Sequence, residues 1–374
     1  MTLNKPTAID LFCGAGGLTT GLKAAGFTVL AGFELHEIAA ATYKLNHSRS
    51  RVFVGDLARL DPKSAMDSLG LVKGELDLLA GCPPCQGFST HKTRNRPSST
   101  DDERNDLVFE VLRYIKVFLP KTVMLENVPG LAKDQRIIKF KAELKELGYV
   151  VNDDTVKVLD AADFGVPQRR KRMILQASLF GTINGPVKVK RRTSVKQSIG
   201  SLPLPGQSGD ALHDFPVTRS KKVLDIIQNV PSNGGSRSDL PLELWLPCHI
   251  KRPGSYKDVY GRMSWDDVAP TITGGCTNPS KGRFIHPDQD RSITLREAAL
   301  LQTFPKGYKF SLEKGKDFVA LMIGNALPPR LIKAHAKKYI QHLNSGDAEK
   351  LTRSHRLHFQ AGFFQPAGLA LRFS

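Results

Sequence analysis

Short apolar segments alternate with segments of helical periodicity over the first 180 residues. Apolar runs that predict strands lie at 7–12, 28–33, 51–54, 76–80, 121–125 and 173–177. Between them, apolar residues recur with the spacing of one helix face, which predicts helices at 18–25, 36–46, 62–69, 104–118 and 135–147. Strands that alternate with helices are typical of an α/β, doubly wound fold whose sheet is mostly parallel.

Residues that could bind a ligand or take part in a reaction lie where these predicted strands end. Phe12, Glu34 and Asp56 follow or close the first three strands. A glycine turn at Gly81 and the carboxyl group of Glu126 close two later ones. Because parallel sheets bind ligands at the carboxyl ends of their strands, we expect these residues to line one site.

The pattern changes near residue 180. Residues 181–265 are rich in Pro, Gly and Ser, have no clear period, and contain 13 Lys and Arg against 6 Asp and Glu. A helical pattern resumes at 291, a last helix is predicted at 327–343, and the remaining residues have no readable organisation. The chain therefore divides into a discontinuous domain of 1–180 plus 306–343, an inserted basic domain and hinge at 181–305, and a tail of unassigned role at 344–374.

Composition narrows the functional classes only moderately. The 374 residues carry 54 Lys and Arg against 36 Asp and Glu, a net charge of +18. Such a charge keeps a protein soluble and also suits a nucleic-acid partner. The first ten residues do not resemble a signal peptide and no apolar stretch reaches 18 residues, so we expect a cytoplasmic protein that does not enter a membrane and that, in a bacterium, associates with the nucleoid.

The segment DLFCGAGGLTTGL at 10–22 combines a strand, a glycine turn and the start of a helix. Glycine lets the backbone approach a ligand closely, and a helix N-terminus favours negative charge. A carboxylate at Glu34 suits a ribose diol, and Asp56 could accept a hydrogen bond from an adenine amino group. The combination indicates an adenosyl ligand without a pyrophosphate, although a simple tight turn would have the same sequence.

The segment GCPPCQGFS at 81–89 places Cys85 in a rigid turn at the edge of the sheet. A cysteine there becomes a nucleophile if its surroundings favour the thiolate. The spacing of Cys82 and Cys85 also fits half of a zinc site or a redox pair. However, the other three cysteines are isolated in sequence, and the polar segment 87–103 predicts a mobile loop rather than the helix that follows a redox pair.

Two further segments carry candidate chemistry. In MLENVPG, apolar neighbours would desolvate the carboxyl group of Glu126 and raise its pKa, so that it could hold a proton near pH 7. The alternative is a surface or helix-capping carboxylate. In QRRKRMIL, alternation along a strand would place Arg170 and Arg172 on one face. The alternative for this segment is that its basic side chains face solvent and take no part in a site.

The motifs, taken in order, resemble those of the cytosine-5 DNA methyltransferase family. The matching strings are GAGG at 14–17, PCQ at 84–86, ENV at 126–128, QRRKR at 168–172 and GNALPP at 324–329. APTITGG at 269–275 and LREAALLQTFP at 295–305 are also similar to it. The resemblance covers about residues 7–178 and 262–343.

The resemblance implies an enzyme that transfers a methyl group from S-adenosylmethionine to carbon 5 of a flipped-out cytosine in a specific duplex DNA sequence. It implies Cys85 as a nucleophile that forms a covalent adduct, Glu126 on ring nitrogen 3 and the exocyclic amine, and Arg172, with Arg170 nearby, on the carbonyl side. The resemblance assigns cofactor binding to Phe12, Gly14, Gly16, Glu34, Asp56, Pro84 and Asn325. It implies no metal ligand.

The resemblance also assigns roles to the segments and partners. The discontinuous domain becomes the methyltransferase domain, whose last helix returns to pack beside the first strand, and the basic insertion becomes the target-recognition domain. The loop at 87–103 would close over DNA. We expect a monomer that acts on double-stranded DNA, with a cognate restriction endonuclease that cuts the same site.

Two other functions fit the same sequence less well. An RNA (tRNA) cytosine-5 methyltransferase shares the fold, but the recognition segment has no Cys-Phe-Thr string of the kind expected there. A non-catalytic DNA-binding regulator would usually have lost the thiol or the carboxyl group, whereas Cys85 and Glu126 are both present. Methyl incorporation into duplex DNA or into tRNA distinguishes these possibilities.

Overall fold

A seven-stranded mixed sheet forms the centre of the molecule in the computed structural model, which describes residues 5–84, 106–254 and 257–345. Its strands are β1 (Thr7–Leu11), β2 (Thr28–Glu34), β3 (Arg51–Val54), β4 (Leu78–Gly81), β5 (Thr122–Asn127), β6 (Val156–Asp160) and β7 (Lys171–Ser178). The spatial order is β3-β2-β1-β4-β5-β7-β6. The first five strands are parallel and β7 is antiparallel to both β5 and β6, which confirms the mostly parallel sheet.

Helices of the first half connect the strands at nearly the predicted positions. They are α1 (Gly17–Ala25), α2 (Glu37–Asn46), α3 (Pro62–Ser68), α4 (Leu107–Phe118) and α5 (Gln135–Glu146). The start of α3 follows from its sequence, because Asp61 accepts hydrogen bonds from the amides of Lys63 and Ser64 while Pro62 occupies the first helical position.

Helices of the second half are short in the basic region and longer near the end. They are α6 (Val195–Ile199), α7 (Lys221–Asn229), α8 (Pro247–Lys251), α9 (Leu295–Leu301), α10 (Gly315–Asn325) and α11 (Pro329–Leu343). The sequence pattern predicted neither the first three of these nor β6. It also began the last helix two residues early and gave no sign of α10.

The last helix covers one face of the sheet together with the first. Leu18 and Leu22 of α1 share a buried cluster with Ile332 and Ala336 of α11 and with residues of β1, β4 and β5. The two helices approach so closely that a Cβ atom on Gly21 would lie 2.5 Å from that of Ile332. This contact matches the return of the last helix that the family resemblance implies.

The basic region contains two apolar clusters. The smaller one has its own set of buried residues, Ile226, Ile227, Val230, Leu240, Tyr260 and Ile285. The larger one combines residues 195–212 and 263–323 with Ala15 and Ala39 of the first half. Since the larger cluster includes residues on both sides of 305, it joins the inserted region to the turn after β1 and to α2, and the exact division into domains stays a prediction. Within the described ranges, no helix is long and apolar enough to cross a membrane.

Candidate active site

Strand register places three polar side chains side by side at one edge of the sheet. Gly81 of β4 pairs with Leu125 of β5, so the residues that follow them, Cys82 and Glu126, are lateral neighbours. On the other side of β5, Glu126 pairs with Ile174 of β7, and Arg172 lies two residues away on the same face. The carboxyl group of Glu126 therefore stands between a thiol and a guanidinium group.

These neighbours flank the Glu126 carboxyl group. Arg172 Nε lies 2.9 Å from Glu126 Oε1, and the Cys82 thiol lies near enough to the same carboxyl group for each to affect the pKa of the other. Glu126 is only 7% exposed. Burial raises the pKa of Glu126, and the positive charges of Arg172 and Arg170 offset part of that effect. The direction is the one that its apolar sequence neighbours predicted.

The adjacent turn is held by an amide that sequence reasoning had not singled out. Asn127 Nδ2 donates to the carbonyl oxygen of Pro83 at 3.1 Å, and Asn127 Oδ1 accepts from the amide of Val128 at 2.7 Å. Asn127 is buried, whereas Pro84 is exposed. The available signal was the position of this amide directly after Glu126, at the end of an apolar strand. Cys85 and the loop at 87–103 lie outside the described residues.

Arg170 occupies a different place from Arg172. It precedes β7, so the alternation predicted for a strand does not govern it. Its buried guanidinium group donates to the carbonyl oxygens of Ile272, Gly324 and Ala326 at 3.0, 2.9 and 3.1 Å. Arg170 thus lies near enough to Glu126 to affect its pKa, but its hydrogen bonds tie the APTITGG and GNALPP segments to the sheet.

The glycine turn and Glu34 form a second group of candidate residues at the same edge. Glu34 Oε2 accepts from the amide of Gly14 at 2.9 Å, and Oε1 accepts from the amide of His36 at 2.8 Å. Each carboxylate oxygen keeps a further lone pair for a ligand. The carboxylate therefore links the turn after β1 to the end of β2.

Gly14 and Gly16 are required for different physical reasons. Gly14 has φ +53°, and a Cβ atom there would meet nothing within 4 Å. Gly16 has φ +93°, and a Cβ atom there would lie 2.6 Å from His47 Nε2 and 2.7 Å from the hydroxyl of Tyr308. The first glycine thus leaves open space in front of the turn, and the second allows tight packing behind it.

The remaining predicted cofactor residues lie around this turn. Phe12 follows β1 directly, is half-buried, and has φ +60°. Asp56 follows β3, is partly exposed, and accepts from the amide of Ala58 at 3.0 Å. Asn325 is the exposed last residue of α10 and lies between Gly324 and Ala326, two of the residues whose carbonyl groups Arg170 binds.

A buried carboxyl group beneath the turn escaped the sequence analysis. Asp10 Oδ2 accepts from the amide and the hydroxyl of Thr19 at 3.1 and 2.7 Å, which fixes the beginning of α1. Asp10 Oδ1 is buried and has no partner among the described residues. Burial raises the pKa of Asp10 to about 7. Its place inside the DLF string was the only sequence signal.

Metal-binding chemistry has no support in the part of the chain that the structure describes. No group of three or more His, Cys, Asp or Glu side chains there is arranged to hold a metal ion. Cys13 and Cys276 are buried and Cys248 is exposed, and each is a free cysteine.

Comparisons with known proteins agree with the geometry. The sequence model of C-5 cytosine-specific DNA methylase matches residues 7–341. The type II methylase M.HgiDII of Herpetosiphon aurantiacus is 38% identical over 90% of this chain and 96% of its own length. The type II methyltransferase M1.BsuMI of Bacillus subtilis is 32% identical, with 88% and 79% covered.

Solved structures show the same fold at lower sequence identity. A prophage-encoded E. coli protein described as a DNA modification methyltransferase superimposes with a TM-score of 0.70 at 23% identity, covering 91% of this chain and all of the other. The Dnmt2 methyltransferase of S. pombe gives 0.57 at 18% identity, with 91% and 99% covered.

Proposed function

Because the chain belongs to the C-5 cytosine-specific DNA methylase family, we propose that it methylates carbon 5 of cytosine within a specific duplex DNA sequence, as the modification enzyme of a type II restriction system. The observation that carries this proposal is the lateral placement of the Cys82–Pro83–Pro84 turn beside the ion pair of buried Glu126 with half-buried Arg172. Cys85 follows this turn directly in sequence, which supports its assignment as the nucleophile.

The residues around the glycine turn fit S-adenosylmethionine as the methyl donor. Gly14 leaves open space in front of the turn, and Glu34 retains lone pairs for the hydroxyl groups of a ribose. When bound, this cofactor supplies an electrophilic methyl group on a sulfonium centre. The residues that would hold it are Phe12, Gly14, Glu34, Asp56, Pro84 and Asn325, with Gly16 supporting the turn.

The side chains of the site have separate roles in the proposed reaction. Cys85 Sγ adds to carbon 6 of cytosine, which makes carbon 5 nucleophilic. Glu126, whose pKa is raised by burial, donates from its protonated form to ring nitrogen 3 and offsets the negative charge that develops there. Arg172 holds the carboxyl group and faces the carbonyl side of the ring. Loss of the carbon 5 proton after methylation then releases Cys85.

Attack on carbon 6 requires access to the face of the ring, which stacking in a duplex prevents. The target cytosine must therefore leave the helix, at a cost of a few kcal/mol. The net charge of +18 and the excess of Lys and Arg in residues 181–265 suit the phosphate contacts that position the duplex. We assign target recognition to this basic region on that ground.

The test is methyl incorporation from labelled S-adenosylmethionine, followed by bisulfite sequencing of the product DNA. Duplex DNA should become labelled at one sequence context while tRNA does not. Cys85→Ala should abolish transfer and still bind duplex DNA, whereas the matched control Cys248→Ala, at an exposed thiol of α8, should retain transfer. Full methylation by the Cys85→Ala protein, or labelling of tRNA alone, would overturn the proposal.

The type II relatives also suggest how the enzyme works in the cell. We propose that it acts in the cytoplasm as a monomer and protects DNA from an endonuclease that cuts the same sequence. Sedimentation at micromolar concentration should give a mass close to 41.2 kDa. Plasmid DNA recovered from cells that express the protein should resist an endonuclease specific for the sequence that bisulfite analysis identifies.

A further inference from the structure

The turn that precedes Cys85 contains a second thiol with a distinct position. Cys82 is the first residue after β4, and its amide donates to the carbonyl oxygen of Leu11 at 3.2 Å. Parallel pairing of Gly81 with Leu125 puts Cys82 beside Glu126, about 5 Å away across neighbouring strands. The backbone on both sides of this contact is therefore fixed by the sheet.

The Glu126 carboxyl group lies between polar side chains of both neighbouring strands. Arg172 Nε of β7 lies 2.9 Å from Oε1, and the strand register puts the Cys82 thiol on the β4 side, near enough to affect the pKa of Glu126. Since β5 lies between β4 and β7, the two groups flank the carboxyl group from opposite directions. A thiol that donates from the β4 side would restrict rotation of the carboxyl plane more than Arg172 does alone.

The thiol of Cys82 is suited to donate and unsuited to attack. Burial and the nearby charge of Glu126 raise its pKa well above that of a free cysteine. It therefore stays protonated at neutral pH and has a hydrogen to give, and a protonated thiol is a poor nucleophile.

We propose that Cys82 is a positioning residue, whose thiol orients the Glu126 carboxyl group toward ring nitrogen 3 of the target cytosine. The inference rests on the proposed function, in which Glu126 contacts the base. The competing explanation is packing alone, because Cys82 also lies against an apolar cluster that includes Ala80, Met124 and Ile174.

Three substitutions separate hydrogen bonding from packing. Cys82→Val fills similar space without a donor, Cys82→Ala removes both, and Cys82→Ser keeps a donor in a slightly smaller side chain. The measurements are kcat and KM for duplex DNA, the pH profile of kcat, and an infrared titration of the Glu126 carboxyl band. Glu126→Gln identifies that band by its disappearance.

Loss of the donor should lower kcat in the Val and Ala proteins by about threefold to tenfold, with little change in KM. Because a donor to the carboxylate favours the charged form, its loss raises the pKa of Glu126 further. The alkaline limb of kcat and the infrared midpoint should both move to higher pH. Cys82→Ser should restore the parental rate and midpoint.

Two outcomes would contradict the inference. A Val protein with parental kcat and an unmoved infrared midpoint would show that only packing matters, and a Ser protein as impaired as the Ala protein would show the same. If the parent protein methylates duplex DNA, either result overturns the role of Cys82 alone. If the parent protein transfers no methyl group to DNA, the proposed function fails and this inference fails with it.

Discussion

The side-chain amide of Asn127 donates to the carbonyl oxygen of Pro83 at 3.1 Å, joining the end of β5 to the turn that leads into Cys85. Removing it in Asn127→Ala should lower kcat about tenfold, since the turn loses the bond that fixes its orientation. KM for S-adenosylmethionine should change little. Asn229→Ala is the matched control, because within the described ranges that side chain bonds only to the carbonyl group of Asp225, on the exposed end of α7. Parental kcat in Asn127→Ala would contradict this positioning role.

Glu126→Gln should reduce methyl transfer by about a hundredfold or more, because the amide has the shape of the carboxyl group but no acidic proton to give. Labelled methyl incorporation into duplex DNA measures the change. The alkaline limb of kcat should also disappear, since burial raises the pKa of Glu126 and no such group remains to titrate. Glu143→Gln is the control, as that residue forms a half-exposed pair with Lys116. Equal losses in both proteins would argue against a role for Glu126 in the reaction.

Alanine at Gly14 and at Gly16 should affect different properties. In Gly14→Ala the new methyl group enters the open space proposed for the cofactor. The φ of +53° should lower the free energy of unfolding by about 1–2 kcal/mol. Calorimetry should therefore show weaker S-adenosylmethionine binding by a folded protein. Gly16→Ala also collides with His47 and Tyr308, so its free energy of unfolding should fall by about 3 kcal/mol or more. Unchanged cofactor affinity in Gly14→Ala would contradict the assigned site.

Asp10 should make the stability of the protein depend on pH. Its folded pKa of about 7 exceeds the ordinary value of 3.8, so the folded state binds a proton more tightly than the unfolded state. Its contribution to stability is therefore complete below about pH 3.8 and is lost as pH rises through about 7. The free energy of unfolding of Asp10→Asn, relative to that of the parent, should rise by up to about 1.4 kcal/mol per pH unit between about pH 3.8 and pH 7. The difference should level off at higher pH.

Urea unfolding of the parent and Asp10→Asn proteins at intervals from pH 5 to pH 8 measures this difference. Asp134→Asn is a suitable control, because that carboxyl group caps α5 near the surface and bonds to Arg136. A stability difference between parent and Asp10→Asn that does not change with pH would show that Asp10 is already ionised in the folded state.

The strand ends were predictable because periodicity alone locates them. Glu34 closes β2 and Glu126 lies one residue from the end of β5, so their common edge follows from a parallel sheet. The outermost strand β6 was missed because four of its five residues are half-buried and the fifth is exposed, which leaves no strong apolar pattern. Short helices such as α8 likewise bury none of their residues and leave no periodic signal.

The contacts within the site needed the structure, because they depend on register between strands distant in sequence. Nothing in the sequence relates Cys82 to Glu126 or Asn127 to Pro83, and a shift of one residue would separate both pairs. The prediction that Arg170 and Arg172 lie on the same face of a strand also depended on where β7 begins. Since Arg170 precedes that strand, it holds neighbouring backbone while Arg172 reaches the carboxyl group.

The packing of α11 on α1 has a consequence for synthesis of the protein. Leu18 and Leu22 emerge early from the ribosome, whereas Ile332 and Ala336, which cover them, are made more than three hundred residues later. Until then this apolar cluster lacks the side chains of α11, and chaperones or aggregation compete for the part that stays uncovered. Methylation of the cell's DNA can begin only after translation has passed the last helix, so a ribosome that stalls before residue 329 yields no working enzyme.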